Sequence, residues 1–132
     1  MKRNILTLLL LALFPILTFA QHAKKDLIGK WEGTDSQGTK ASVQFLDTNK
    51  VVVIIGGNAM PPYTYSIDLP KSPAKLDIVM VTPNGEATLP GYLLFVDNDT
   101  IKWQIFPGGK RSETYDENSP DGPVITLKRV KQ

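Results

Sequence analysis

The 132-residue chain contains no cysteine and one histidine, and its charges nearly cancel, with 15 Lys and Arg against 13 Asp and Glu. Without cysteine there are no disulfides, thiol nucleophiles or thiolate metal sites. Small domains often depend on disulfides because their cores are small, so a chain without cysteine must be held by its core alone. The single histidine, His22, lies where a processed chain would begin and where termini are commonly loose. That leaves no basis for a Ser-His-Asp arrangement or a His-rich zinc site. No nucleophile and base are paired in the sequence, so the expectation is a non-enzyme with no catalytic residues, no metal site and no cofactor.

The longest apolar stretch is confined to the beginning. Lys2 and Arg3 precede an apolar run from Ile5 to Leu13 broken only by Thr7, and Thr18-Phe19-Ala20 puts small residues at the two positions read by a signal peptidase. The pattern predicts a signal peptide over 1–20, a mature domain over 21–132 starting at Gln21, and export to the periplasm or beyond. An uncleaved anchor is the alternative. Pro15 interrupts that stretch, which is shorter than the roughly 20 residues a spanning helix needs, so no stable membrane insertion is expected after processing. Lys2 and Arg3 leave with the leader and no acid does, so 13 basic side chains face 13 acidic ones in the mature domain. A phosphate backbone needs a basic stripe, and Lys128, Arg129 and Lys131 alternate between strand faces. Nucleic acid is therefore not an expected partner.

What the mature chain does contain is period-two alternation. Strands are predicted at about 30–34, 40–46, 50–55, 63–69, 76–81, 91–96, 100–106 and 124–130. Between them lie Asp35-Ser36-Gln37-Gly38, Asp47-Thr48-Asn49, Pro83-Asn84-Gly85, Asp97-Asn98-Asp99 and Pro107-Gly108-Gly109, all suited to tight turns. Successive hairpins make a meander. A meander with one apolar face must hide that face and remove its two edges, and closure does both. The expected fold is all-β, a single antiparallel up-and-down barrel of about eight strands; a two-sheet sandwich is the structural rival.

Alternation also assigns faces. In Tyr63-Thr64-Tyr65-Ser66-Ile67-Asp68-Leu69 the odd positions are apolar and the even ones polar, and Ile101, Trp103 and Ile105 repeat the pattern. Tyr63, Tyr65 and Trp103 are thus candidates for the wall of an internal pocket, with a tyrosine hydroxyl or Arg111 to hold a polar headgroup; as inward aromatics they also read simply as core. The run Val51 to Ile55 is apolar on both faces, which predicts that a loop or the N-terminal lead covers one of them. Asp97-Asn98-Asp99 lacks the spaced ligands of a calcium loop and reads as a turn. Glu113, Asp116 and Glu117 could be imagined as acid-base carboxylates, but their Ser/Asn/Pro/Gly-rich surroundings read as a solvated loop. Gly56-Gly57 has no following helix with which to cradle phosphate.

Gly29-Lys30-Trp31, opening the first strand after a short lead, resembles the Gly-x-Trp motif of lipocalins and related calycins. The resemblance implies that Trp31 closes one end of the barrel and that an arginine of the last strand packs across its ring. Arg129 shares a phase with Ile125 and Leu127, and an inward charge needs such an aromatic face and carbonyl partners. The stretches Tyr65 to Pro73, Leu76-Asp77, Gly91, Asp97 to Lys102, Pro107 to Arg111 and Leu127 to Arg129 look like a small lipocalin-like family of exported bacterial domains. Ser112 stands where that family would have proline, and Tyr92-Leu93-Leu94-Phe95 where an isoleucine-tyrosine pair is commoner. The resemblance implies a fold and no specific activity. The leading functional expectation is a binding module for a small apolar or amphipathic ligand. The alternative is a protein-interaction or inhibitor domain with a packed core, using the Gly56 to Pro62 loop and Met60-Pro61-Pro62.

Overall fold

The computed structural model describes residues 21–35 and 37–131, so the leader predicted over 1–20 lies outside the described residues. Among the described residues nine strands follow a single 3-10 turn at Lys24–Leu27: β1 Gly29–Thr34, β2 Lys40–Phe45, β3 Lys50–Ile55, β4 Asn58–Ala59, β5 Tyr63–Ile67, β6 Ala74–Thr82, β7 Gly85–Asp97, β8 Thr100–Ile105 and β9 Val124–Arg129. All pairings are antiparallel. Each strand of the meander pairs with the next, β9 returns to β1, and the short β4 adds to β3 as a ninth strand outside the ring of eight. The eight predicted strands are all present, in a closed barrel and not a sandwich.

One boundary differs from the expectation in a way that matters later. β7 starts at Gly85, not near Gly91, because Thr82 pairs with Gly85 and the β6–β7 hairpin turns on Pro83-Asn84 alone. The strand then runs through Pro90, which sequence reasoning treats as a breaker. Pro90's carbonyl accepts from the Phe106 amide just where the β7–β8 ladder begins at Gly91↔Ile105. N–H and C=O of a strand residue point to the same side, so the missing donor falls at the end of that ladder and costs little.

The two ends of the barrel are built differently. At one end, the turns 46–49, 68–73 and 98–99 and the N-terminal lead surround a filled core of Leu27, Trp31, Phe45, Val51, Leu76 and Ile101, all no more than 1% exposed. The lead belongs to this closed end: the Trp31 indole donates to the Leu27 carbonyl at 2.9 Å. It is therefore not the cover expected for the second apolar face of β3, where Val52 and Ile54 stay half-buried. At the other end lie the β1–β2 connection, the turns 56–57 and 83–84 and the long loop 106–123.

That long loop is anchored, not merely solvated. It folds onto the outer face of β7 and β8, where the fully buried Gln104 donates through Nε2 to the carbonyls of Asp116 (2.7 Å) and Gly122 (2.9 Å). Tyr92 lies beneath it, packed edge-on against Phe106 and Tyr115 and donating to the Ser112 carbonyl at 2.7 Å. Of Glu113, Asp116 and Glu117, the last is tied down at 2.6 Å by Lys102 and at 2.9 Å by the Tyr115 hydroxyl. Both contacts, the lysine's first, hold its carboxyl below the usual glutamate range.

Candidate functional site

Alternation sends a side chain from each strand into the barrel, and near the closed end these chains meet. Towards the other end they do not, and a cavity of about 280 Å³ remains. Its wall comes from β2 (Ala41, Ser42, Val43), β3 (Val53, Ile55), β6 (Ile78, Met80), β7 (Leu89), β8 (Trp103, Ile105) and β9 (Ile125, Leu127), with Met60 and Tyr63 on the side of β4 and β5. None of the lining side chains carries a charge. The volume lies near the lower end of the roughly 300–1,000 Å³ usual for ligand pockets. It is about twice the ~150 Å³ of an apolar cavity that accepts benzene.

Of the four residues proposed for a pocket, two meet here. Tyr63 and Trp103 line the cavity. Tyr65 does not: it is one layer deeper, 2% exposed, edge-on to Phe45 at 5.0 Å, and its hydroxyl donates to the Asp47 carbonyl at 2.7 Å. Burial, and then the negative charge of Asp47, push its hydroxyl up to a pKa of about 12. Arg111 is outside the barrel altogether, bonded to Asp77 and to the Gly91 carbonyl and lying over Tyr92. It cannot hold a headgroup in this cavity, because the wall formed by β6 and β7 stands between them.

The structure adds Met60, Met80 and Leu89, which sequence reasoning did not assign to the wall. Met80 was readable, since Leu76, Ile78 and Met80 continue one alternating face. Leu89 was hidden by Pro90 beside it, which made the segment look like a connector.

The barrel wall beside Met60 and Met80 is incompletely zipped. The β5–β6 ladder ends at Thr64↔Val79. Continued in register, it would set Pro62 against Val81 and Pro61 against Thr82, and proline has no N–H to offer a ladder. The chain instead crosses to β3, pairing Tyr63 with Val51, while the Met60 amide donates to the Val53 carbonyl at 2.9 Å. Beyond Val79, β6 is thus laddered to β7 only, and among the described residues no strand pairs with its other edge. Val81 on that edge is 80% exposed. Next to this seam, the Tyr63 hydroxyl donates to the Met60 sulfur at 3.9 Å.

At the closed end the signature residues converge. Arg129 lies with its guanidinium carbon 4.2 Å from the centroid of the Trp31 ring, and it donates to the carbonyls of Asp26 (2.6 Å), Ile28 (3.1 Å) and Asn98 (3.1 Å) and to the Asp99 carboxylate (3.1 Å). Gly29 allows this approach: a Cβ there would come within 3.3 Å of an Arg129 nitrogen, and its φ of +130° is one that side chains disfavour. His22 stacks on Phe95 at 3.9 Å and pairs with Asn98 at 3.1 Å. Asp97 accepts from the Asp99 amide at 2.8 Å, the Asx turn expected of that sequence, and this bond is the first cause of its lowered pKa. Among the described residues no helix is long and apolar enough to cross a membrane. Compared with family models, with curated proteins and with solved structures, the chain matches none.

Proposed function

We propose that this protein is an exported, non-catalytic binding module that takes a small apolar molecule into the open half of its barrel. The observation that carries the reading is the uncharged cavity of about 280 Å³ between Trp103, Tyr63 and Met80, set above a fully packed closed end. Removing apolar ligand surface from water there supplies affinity at about 25 cal/mol per Å², before the cost of immobilising the ligand. The non-catalytic part is supported by His22, engaged with Phe95 and Asn98 beside the Trp31 end and remote from the cavity. Export rests on the leader pattern of residues 1–20. The lipocalin-like kinship is supported by the Gly29, Trp31 and Arg129 arrangement at the closed end.

The two tryptophans allow a direct test. Trp103 lines the cavity while Trp31 is fully buried at the other end. Titrating the mature domain with small aromatic and aliphatic compounds should change the Trp103 emission and leave that of Trp31 nearly constant; the Trp103→Phe variant separates the two. Val53→Phe, which fills the cavity, should abolish the response in an otherwise folded protein. No response to any compound, with the same stability in their presence, would overturn the reading.

The unpaired edge of β6, with Val81 exposed on it, favours a second reading, docking of an extended partner segment by strand addition. Pairing there would protect the Val81 amide, which faces the free edge, from hydrogen exchange, whereas a cavity ligand would affect chiefly the inward side chains.

A further inference from the structure

The chemistry of the cavity wall narrows the ligand further, an inference that rests on the binding reading above. We propose that the cavity takes a compact, uncharged molecule with a single oxygen acceptor, which the Tyr63 hydroxyl binds in exchange for the sulfur of Met60.

Three features carry this. No lining side chain is charged, so a carboxylate or ammonium drawn inside would find no counter-charge and would keep its full desolvation cost. The volume of about 280 Å³ excludes a long acyl chain lying wholly within. The third feature is Tyr63. Its hydroxyl is directed at the Met60 sulfur, 3.9 Å away, and a thioether is a weak acceptor. A carbonyl or ether oxygen is a stronger one, so a ligand that brings it replaces a poor hydrogen bond with a good one. Met60 can yield. Its side chain is unbranched and flexible, it is 39% exposed, and it stands at the seam where Pro61 and Pro62 keep the wall from zipping to β6.

Four probes decide the matter by calorimetric titration of the mature domain: acetophenone, ethylbenzene, benzoate and dodecanoate. Acetophenone and ethylbenzene are close in size and differ in the carbonyl. Acetophenone should bind about 2- to 10-fold tighter, the range expected of one neutral hydrogen bond, and benzoate should bind more weakly than either. Tyr63→Phe should remove the preference for acetophenone, so that acetophenone and ethylbenzene bind the variant equally. Met60→Leu, which takes away the competing sulfur but keeps the bulk, should leave the preference in place. Equal binding of acetophenone and ethylbenzene, a preference that survives Tyr63→Phe, or tightest binding by benzoate or dodecanoate would overturn the inference while leaving a binding barrel. Failure of all four probes, with Trp103 emission unmoved, would overturn the binding reading and this inference together.

Discussion

Arg129 faces Trp31 of β1 directly across the β1–β9 ladder, in register, and its guanidinium lies over the indole at 4.2 Å while four hydrogen bonds from its side-chain nitrogens gather the lead, at Asp26 and Ile28, and the β7–β8 turn, at Asn98 and Asp99. One side chain thus ties the beginning of the barrel to its end. Arg129→Ala should lower stability by about 1–3 kcal/mol through lost packing and stranded carbonyls. Arg129→Lys should recover only part, since an ammonium lacks the planar fork. Denaturant midpoints measure both, and an unchanged midpoint for the alanine variant would refute the role.

Gly91 is a packing requirement between β7 and β8. A Cβ there would lie 2.3 Å from the Gln104 carbonyl oxygen and 3.2 Å from the Trp103 indole nitrogen. Because the first obstacle is backbone, Gly91→Ala should cost about 1–3 kcal/mol or more. Gly108→Ala, where nothing lies within 4 Å, is the matched control and should melt like the wild type.

Tyr65 makes stability depend on alkaline pH. Its hydroxyl is raised from 10.0 to about 12 by burial and by Asp47, so the folded state holds the proton more tightly than the unfolded chain. The stabilisation is complete below about pH 10 and is lost as pH rises towards 12. Tyr65→Phe should flatten that decline in chemical denaturation between the two values. At neutral pH the same variant should be less stable by about 0.5–1.5 kcal/mol, having lost the bond to Asp47.

The loop 106–123 should depend on two inner contacts. Gln104→Ala strands the Asp116 and Gly122 carbonyls and should cost about 1–3 kcal/mol, with limited proteolysis shifting into the loop. Glu117, whose pKa is lowered first by Lys102 and then by Tyr115, holds the loop fully above the ordinary glutamate range and releases it as pH falls through the lowered value. Tyr115 ring resonances should report that acid step, and Glu117→Gln should remove it.

Material recovered from the exported fraction should begin at Gln21, because Thr18 and Ala20 stand at the positions a signal peptidase reads. Intact mass measures this. A species retaining residues 1–20 in the membrane would contradict export.

What the amino-acid sequence determined by itself was which way each strand side chain faces, because period-two alternation is a property of neighbouring residues and needs no partner. That was enough for eight strands, for a closed meander, and for the inward phases of Trp103 and Arg129, whereas the place of Trp31 came from the resemblance of Gly29-Lys30-Trp31 to a Gly-x-Trp motif. Height along the barrel axis was decided only by the tertiary structure. Tyr63 and Tyr65 share a face and an alternation pattern, yet they stand about 6.6 Å apart along the strand. That step separates the cavity wall from the packed layer against Phe45. Register with β3 and β6 sets such heights, and register is a relation between distant segments. For the same reason Arg111, in a loop with no alternation to phase it, was assigned to the wrong side of the wall. Its partners Asp77 and Tyr92 come together only when β6, β7 and the loop 106–123 fold against one another.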